Sequence, residues 1–309
     1  MINQSSVTTF ILVGFSEYPH LQPPLFLMVM TIYTVTLVGN VGIILVRRIN
    51  PKLHTPMYFF LSHLFLDLCY SSVVPPKLLE ILIVEHRTIS LKGCMTQFFF
   101  GCACVIIEMF MLAVMAYDRF VAVCKPLLYT VAMSHKFCAL LVAGSYMWGG
   151  LGAAIITYTL VQLSYCEPGI IDHFSCEDSA IVSVSCSDLL QMVCLVISML
   201  NEVSSLLITM TSYVFLIVTI IKMPSKGGLR KAFSTCTSHL TAVSIFHGTI
   251  LLLYCIPNAK SSKLVVKVAT VLYTVLIPML NALIYSLRNK DVKETVKRLI
   301  SSKLHSQTI

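Results

Sequence analysis

Two carboxyl side chains lie within long apolar stretches of this sequence. Asp67 is near the middle of the apolar run at 57–79, and Glu108 is near the middle of the run at 95–118. Ionisable groups in such segments are functional hypotheses by default, and two buried carboxylates repel each other unless they share a cation or a proton. Because hard cations prefer oxygen ligands, the pair predicts a hydrated sodium site. The alternative is a protonated carboxyl that hydrogen-bonds to a neighbouring helix. Further oxygens are available from Asn40, Ser71 and Asn281.

Other polar side chains in or beside the apolar runs have more than one interpretation. Asp118 and Arg119 are either an anchor at the membrane edge or a latch, in which Arg119 is paired in one state and freed in another. Glu202 either contacts a ligand or makes a structural hydrogen bond. His239 is interpreted as a packing or switch residue, and His247 as a candidate for the floor of a pocket.

The composition places most of the chain in lipid. Of its 309 residues, 57% are hydrophobic and 12% are charged, with a mean hydropathy of +0.84. A soluble domain has about 25% charged residues, which cover its surface in water. The net charge of +8 is distributed in short clusters between apolar runs. That arrangement is typical of a membrane protein and argues against nucleic acid as a partner.

Seven apolar runs are long enough to cross a bilayer, which needs about 20 residues. They predict an all-α membrane protein: a seven-transmembrane helix bundle at 25–287 within a single domain, 1–309. Residues 1–24 would be an extracellular N-terminus and 288–309 a cytoplasmic tail, in which 289–300 predicts a short amphipathic C-terminal helix on the inner leaflet. The runs are 25–46, 57–79, 95–118, 137–161, 190–221, 236–256 and 267–287.

The basic residues set the predicted orientation. With the N-terminus outside, 16 of the 22 Lys and Arg residues fall in cytoplasmic segments, as the positive-inside rule requires. The triplet Asn3-Gln4-Ser5 is a glycosylation sequon on the outer side. We therefore expect a multi-pass plasma-membrane protein with a cytoplasmic C-terminus.

Four of the twelve cysteines lie at or near the predicted outer face: Cys94, Cys166, Cys176 and Cys186. Cysteines in an oxidising compartment are expected to form disulfides. Four cysteines allow three connectivities, among which the residues alone do not choose. The other eight are interpreted as small packing residues.

Several stretches together resemble the odorant-receptor family of rhodopsin-like G-protein-coupled receptors. They are LHTPMYFFLSHLFLDLC at 53–69, MAYDRFVAVCKPLLY at 115–129, KAFSTCTSHL at 231–240 and PMLNALIYSLRN at 278–289. The resemblance covers almost the full chain, and it implies an odorant ligand. It also implies a heterotrimeric G protein of the stimulatory, olfactory class as the partner that raises cyclic AMP.

The resemblance also implies roles for matching positions. Cys94 would pair with Cys176, and Cys166 with Cys186, while Asp67 and Glu108 would form the family's buried cation site. The residues implied in G-protein coupling or switching are Asp118, Arg119, Tyr213, Lys231, His239, Asn281 and Tyr285.

Three positions depart from the family pattern. Phe120 replaces the Tyr that usually follows Asp-Arg, so a hydroxyl is missing beside the latch. Ala282 replaces a Pro, and because proline kinks a helix, the seventh helix is expected to be straighter and coupling weaker. His247 stands where the family more often has Tyr or Phe, which affects the pocket.

Helical spacing predicts a mostly apolar pocket with a few polar anchors, as expected for a small-molecule site. Gly101 occupies the position where amine receptors have an acidic residue, which argues against a biogenic amine unless Glu202 faces inward. The predicted walls are Gly101, Cys102, Val105, Ile106, Ile197, Asn201, His247, Ile250, Tyr254, Val271 and Thr274.

Three rival classes remain: a receptor for a peptide or lipid, a transporter or channel, and an enzyme. The motif at 53–69 and the acidic outer loop with three cysteines argue against the first. A transporter or channel would pass substrate or current without a G protein. The loops contain no nucleophile–base arrangement and no complete phosphate-binding glycine motif, so we expect no enzymatic activity.

Overall fold

The computed structural model describes residues 8–49, 58–84, 87–165, 169–222, 226–255 and 263–281. These residues are mainly helical. In chain order the helices are α1 (Gln22–Ile49), α2 (Tyr58–Ser71), α3 (Pro75–Ile83), α4 (Leu91–Cys124), α5 (Tyr129–Ala132), α6 (His135–Val161), α7 (Asp178–Val182), α8 (Asp188–Ile221), α9 (Lys226–Cys255) and α10 (Lys263–Val271).

Five helical segments of the described residues are long and apolar enough to cross a membrane. They correspond to the first, third, fourth, fifth and seventh of the predicted runs. Their bounds are Pro19–Leu45, Leu91–Cys124, His135–Val161, Gln191–Ile221 and Lys263–Asn281. The chain is therefore a mostly helical, multi-pass membrane protein.

The second and sixth predicted runs differ from these five. The second is divided into α2 and α3 by a turn at 72–74. Pro75 and Pro76 follow this turn, and a proline has no amide hydrogen with which to continue a helix. The sixth run lies in α9, whose apolar portion is the shorter segment His239–Leu253 because polar and basic residues fill its first turns.

A small sheet accompanies the helices, which the expectation of an all-α protein did not include. Strand β1 (Thr9–Leu12) pairs antiparallel with β2 (Thr88–Ser90) and parallel with β3 (Ile170–Ile171). Successive strand residues point to opposite faces, so Phe10 and Leu12 are completely buried while Thr9 and Ile11 are exposed. This N-terminal stretch therefore joins the folded domain.

Helix α4 is the central element of the bundle, and it contacts α2, α6, α8 and α9. It begins at Leu91, where the Ser90 hydroxyl accepts a hydrogen bond from the Gly93 amide at 3.1 Å, as N-cap serines do. Sixteen of its 34 residues are buried, because side chains on several faces of this helix pack against the surrounding helices.

The seventh run is not a uniform helix. A π-helical segment at Leu272–Leu276 follows α10, and helical structure continues to Asn281. Such a segment rotates the residues after it relative to those before it, and it is frequent at functional sites. Ala282 and the predicted C-terminal helix at 289–300 lie outside the described residues.

Candidate functional site

A cavity of about 160 Å³ lies between the helices, next to the disulfide-bonded loop. Residues of α2, α4, α6, α8, α9 and the seventh segment form its walls, and the segment Cys176–Ser179 covers it. An engineered protein cavity of about 150 Å³ accepts benzene, so the space suits a small organic molecule. Most of the side chains that line it are apolar, including Phe98, Val105, Ile156 and Ile250.

Seven of the residues predicted as pocket walls line this cavity: Gly101, Cys102, Val105, Ile106, Asn201, Ile250 and Thr274. Ile197, His247 and Val271 do not. Ile197 packs against the apolar cluster around Cys94, and Val271 is buried in the cluster of Phe15 and Val29. Successive helix residues are rotated by about 100°, so a small error in phase moves a side chain to another face.

The sequence-based prediction missed several residues that line the cavity. Tyr70 and Tyr273 are nearly buried and their rings meet edge to face, with centroids 5.9 Å apart. Glu177 and Asp178 reach the cavity from the outer loop. Adjacency to Cys176 was the one signal in the sequence for these two carboxyls, because a disulfide to the top of α4 brings its neighbours over the bundle.

The disulfide and one glutamine hold this loop in place. Cys94 and Cys176 are bonded, with their Cα atoms 5.4 Å apart across a separation of 82 residues. Gln97, one turn along α4, accepts a hydrogen bond from the Cys176 amide at 3.2 Å and donates one to the Val73 carbonyl at 3.1 Å. Cys186 is also disulfide-bonded, and its predicted partner, Cys166, lies outside the described residues.

A second connection joins the loop to α10 by charge. Asp172 accepts hydrogen bonds from both Lys263 and Lys267, each at 2.5 Å, and the Lys267 side chain is only 1% exposed. Although partial burial alone would raise the pKa of Asp172, these two lysines hold it below its usual value.

The carboxyls over the cavity titrate differently from Asp172. Burial raises the pKa of Glu177 to about 8, since the Ser175 hydroxyl, at 2.9 Å, replaces only part of the lost hydration. Burial also raises the pKa of Asp178, against the stabilising effect of a hydrogen bond from the Ser179 amide at 2.8 Å. The pKa of His173 falls to about 4 because the ring is buried and Lys267 is near.

A buried polar cluster lies deeper in the bundle, around the two carboxylates that the sequence singled out. Asn281 donates to Asp67 at 3.2 Å and to Glu108 at 2.9 Å. His63, which the prediction did not single out, places Nε2 3.0 Å from Glu108 Oε1. One potential ligand atom from each of His63, Asp67 and Glu108 lies within 4.8 Å of the others, which is an arrangement that can hold a cation.

Glu202 and His247 form a buried pair between α8 and α9. The Glu202 Oε1 to His247 Nδ1 distance is 2.9 Å, and both side chains are almost completely buried. Of the two interpretations of Glu202, the structure thus shows the hydrogen bond between helices. His247, predicted at the pocket floor, is its partner.

Comparisons with known proteins identify the family that carries this architecture. The sequence profile described as "Olfactory receptor" matches residues 29–303. The chain belongs to the olfactory receptor family. It is 74% identical over 309 residues to "Olfactory receptor 1165" of Mus musculus, with 99% of this chain and 98% of that one covered. It is 61% identical over 305 residues to "Olfactory receptor 5D13" of Homo sapiens, covering 98% and 97%. The identity to "Olfactory receptor 5D18" of Homo sapiens is 59% with the same coverage.

The family of this olfactory receptor is a family of receptors and not of enzymes. The predicted switch residues Asp118 and Arg119 lie in the last turns of α4. Asp118 accepts a hydrogen bond from the Tyr129 hydroxyl at 2.8 Å, whereas Arg119 Nε is 4.0 Å from the same carboxylate. Phe120 packs against Phe215 of α8, with ring centroids 6.2 Å apart, so the missing hydroxyl is replaced by an apolar contact.

Two further residues that were predicted to take part in coupling meet between α8 and α9. The Tyr213 hydroxyl lies 2.6 Å from His239 Nδ1, and the two rings are stacked with centroids 5.8 Å apart. Both residues are buried. The remaining predicted site residues outside the described part of the receptor are Asn3 and Tyr285, together with the side chains of Lys231 and Tyr254, and they stay predictions.

Proposed function

We propose that this receptor binds a small, mostly apolar odorant in the cavity between its helices. We further propose that the bound receptor activates a stimulatory, olfactory-type G protein that raises cyclic AMP. The cavity carries the proposal, because it is largely apolar, has room for a small molecule and is lined by α4, the helix that also carries Asp118 and Arg119. Micromolar affinity, about −8 kcal/mol, suffices for such a ligand.

The proposed topology has seven spans, with the N-terminus outside and the C-terminus in the cytoplasm. The pair α2 and α3 forms the second span and α9 the sixth, and the stretch 289–300 lies on the inner leaflet as a short amphipathic helix. The excess of Lys and Arg in the proposed inner segments supports this orientation at the plasma membrane. Asn3 would carry a glycan, and Cys166 would bond to Cys186.

The proposed mechanism is a population shift. A ligand changes an equilibrium only if it binds one arrangement better than the other. The contacts that join α8 to α9, Glu202–His247 and Tyr213–His239, hold these helices together in the described arrangement. Odorant binding would favour an arrangement in which the start of α9 moves outward, so that Arg119 and the region 222–235 become accessible to the G protein.

We also propose that the polar cluster binds sodium between Asp67 and Glu108. Asp67 Oδ2 and Asn40 Oδ1 are buried and have no hydrogen-bond partner among the described residues. A space of about 10 Å³ adjoins the two carboxylates, about the room for one water or small ion. Asn281 donates hydrogen bonds to both carboxylates but brings no charge, so the ion would supply positive charge beside the one that a protonated His63 can bring. We expect sodium, but not potassium, to raise the thermal unfolding midpoint of the purified receptor, and Asp67→Asn to remove that difference.

The proposed function is tested by a cyclic-AMP response to an odorant panel in cells that express the receptor. For a responding odorant, Ile250→Ala should raise the half-maximal concentration at least tenfold, because Ile250 lines the cavity. Ile197→Ala is the matched control, since this isoleucine does not line it. Equal effects of the two variants at equal surface expression would show that the ligand binds elsewhere. A substrate flux without any G protein would favour a transporter.

A further inference from the structure

The segment that covers the cavity carries two adjacent carboxyl side chains, Glu177 and Asp178. Both line the cavity, and both follow directly after Cys176, which the disulfide fixes to the top of α4. Among the described residues that line the cavity there is no lysine, arginine or histidine. The cavity therefore has acidic groups on one side with no basic group opposite them.

The two lysines that bond to this loop are already paired. Lys263 and Lys267 both bond to Asp172. The hydrogen-bond partners of these two carboxyls are neutral. Glu177 has the hydroxyls of Ser175 and Thr270, and Asp178 has the Ser179 amide and the Ser198 hydroxyl. Because a carboxylate has about four lone-pair sites, each of these groups retains capacity to accept hydrogen bonds from a ligand.

A second observation at the same cavity also indicates a ligand. Tyr273 lines it and is only 7% exposed. Its hydroxyl lies beside that of Tyr70, but their contact falls outside ordinary hydrogen-bond geometry. A buried hydroxyl without a partner is costly, by about 1–3 kcal/mol. A polar group of a bound molecule would remove that cost.

We propose that the receptor's ligand is a small organic amine, whose ammonium group binds between Glu177 and Asp178. Its hydrocarbon body lies against the apolar walls formed by Phe98, Val105 and Ile250. The inference rests on the proposed function, since it assumes that this cavity is the odorant site. It differs from the expectation based on Gly101, because the acidic groups come from the outer loop rather than from the third span.

The electrostatics of the pair favour this ligand class over others of the same size. A cation within about 4–6 Å stabilises the ionised form of a carboxyl. It therefore offsets the burial that raises the pKa of both groups. An alcohol can donate a hydrogen bond but brings no charge. A carboxylate brings a like charge, which is repelled.

The test uses the purified full-length receptor in lipid nanodiscs and two matched ligand series. One is hexylamine, hexanol and hexanoate; the other is benzylamine, benzyl alcohol and benzoate. Affinity is taken from the rise in thermal unfolding midpoint with ligand concentration, since a ligand that binds only the folded state stabilises it. We expect at least one amine to bind tenfold or more tightly than its alcohol, and neither carboxylate to bind.

Two variants test whether the preference for amines comes from these two carboxyls. Asp178→Asn and Glu177→Gln should each weaken amine binding about tenfold and leave alcohol binding unchanged. Glu80→Gln is the control, because Glu80 is exposed and pairs with Lys77 at 2.8 Å on α3. Unchanged alcohol binding shows that a variant is folded, and Glu177→Gln keeps the test valid if Asp178→Asn disturbs α7.

The inference is overturned if an alcohol or carboxylate binds as tightly as its amine, if no compound of either series binds, or if both variants bind amines like the wild type. The proposed function has a separate readout. A cyclic-AMP response to any odorant that Ile250→Ala weakens at least tenfold and Ile197→Ala leaves unchanged would support that function even when the amine inference fails.

Discussion

Replacing glycines of α6 by alanine tests how closely this helix approaches α4. A Cβ atom added at Gly149 would lie 2.4 Å from Ile107 Cγ1, and 3.1 Å from both the Ala103 carbonyl oxygen and the Ile107 amide nitrogen. At Gly150 the same atom would meet nothing within 4 Å. The two adjacent positions therefore receive the same chemical change with opposite steric consequences.

The expected magnitudes follow from these distances. Alanine is favoured over glycine within a helix by about 1 kcal/mol, so Gly150→Ala should stabilise the receptor by up to that amount. At Gly149 the gain is opposed by overpacking, which typically costs about 1–3 kcal/mol. Two of the three contacts are with backbone atoms, which cannot rotate away. We therefore expect Gly149→Ala to be less stable than Gly150→Ala by about 1–3 kcal/mol.

The measurement is the thermal unfolding midpoint of purified variants in nanodiscs, with surface expression in cells as a second readout. Gly152→Ala is an intermediate case, because its Cβ would meet only the flexible end of Ile106, at 3.1 Å. The expected order of stability is the variants at 150, 152 and 149. If Gly149→Ala unfolds at or above the midpoint of Gly150→Ala, the close approach of α4 and α6 is refuted.

Three further perturbations test the buried pairs and the outer loop. His247→Phe should destabilise the receptor by about 1–3 kcal/mol and so lower the midpoint, because it leaves Glu202 buried without its partner. Adding Glu202→Leu should restore most of the loss, and a double variant as unstable as His247→Phe would contradict this. Asp172→Asn should destabilise the receptor by about 3–5 kcal/mol, because it leaves the buried Lys267 without its carboxylate. Lys267→Met should destabilise it less, and the reverse order of midpoints would contradict the burial of this lysine. The pKa of Glu177 rises on folding from its ordinary 4.5 to about 8. Its contribution to stability is therefore fully present below pH 4.5 and is lost as the pH rises towards 8. Glu177→Gln should flatten the decline of the midpoint between pH 5 and 8, and identical pH profiles of the variant and the wild type would exclude this role.

The positions of the helices along the chain were largely predictable from the sequence. The run at 137–161 corresponds to α6 at His135–Val161, and the run at 190–221 to α8 at Asp188–Ile221. The length of an apolar run predicts a membrane-spanning helix, and this length is visible in the local sequence. The break between α2 and α3 was missed although Pro75 and Pro76 mark it, because the surrounding residues remain apolar. The strand β1 was missed because four residues are too few for a periodic signal.

The sequence predicted the cavity-lining residues that follow the periodicity of a single helix, and it missed those whose position depends on several elements. Gly101, Cys102, Val105 and Ile106 follow the phase of a single helix, α4, and they line the cavity. Val271 was misplaced because it precedes the π-helical segment, which changes the phase of the seventh run.

The sequence by itself determined which segments are apolar enough for lipid, where the carboxylates Asp67 and Glu108 enter those segments, and the family to which the chain belongs. These properties depend on local composition and on motifs in a fixed order. Only the tertiary structure decided that His247 meets Glu202 and that Glu177 and Asp178 cover the cavity. The physical reason is that such contacts depend on helix rotation and on a disulfide between residues 82 positions apart, which no local pattern encodes.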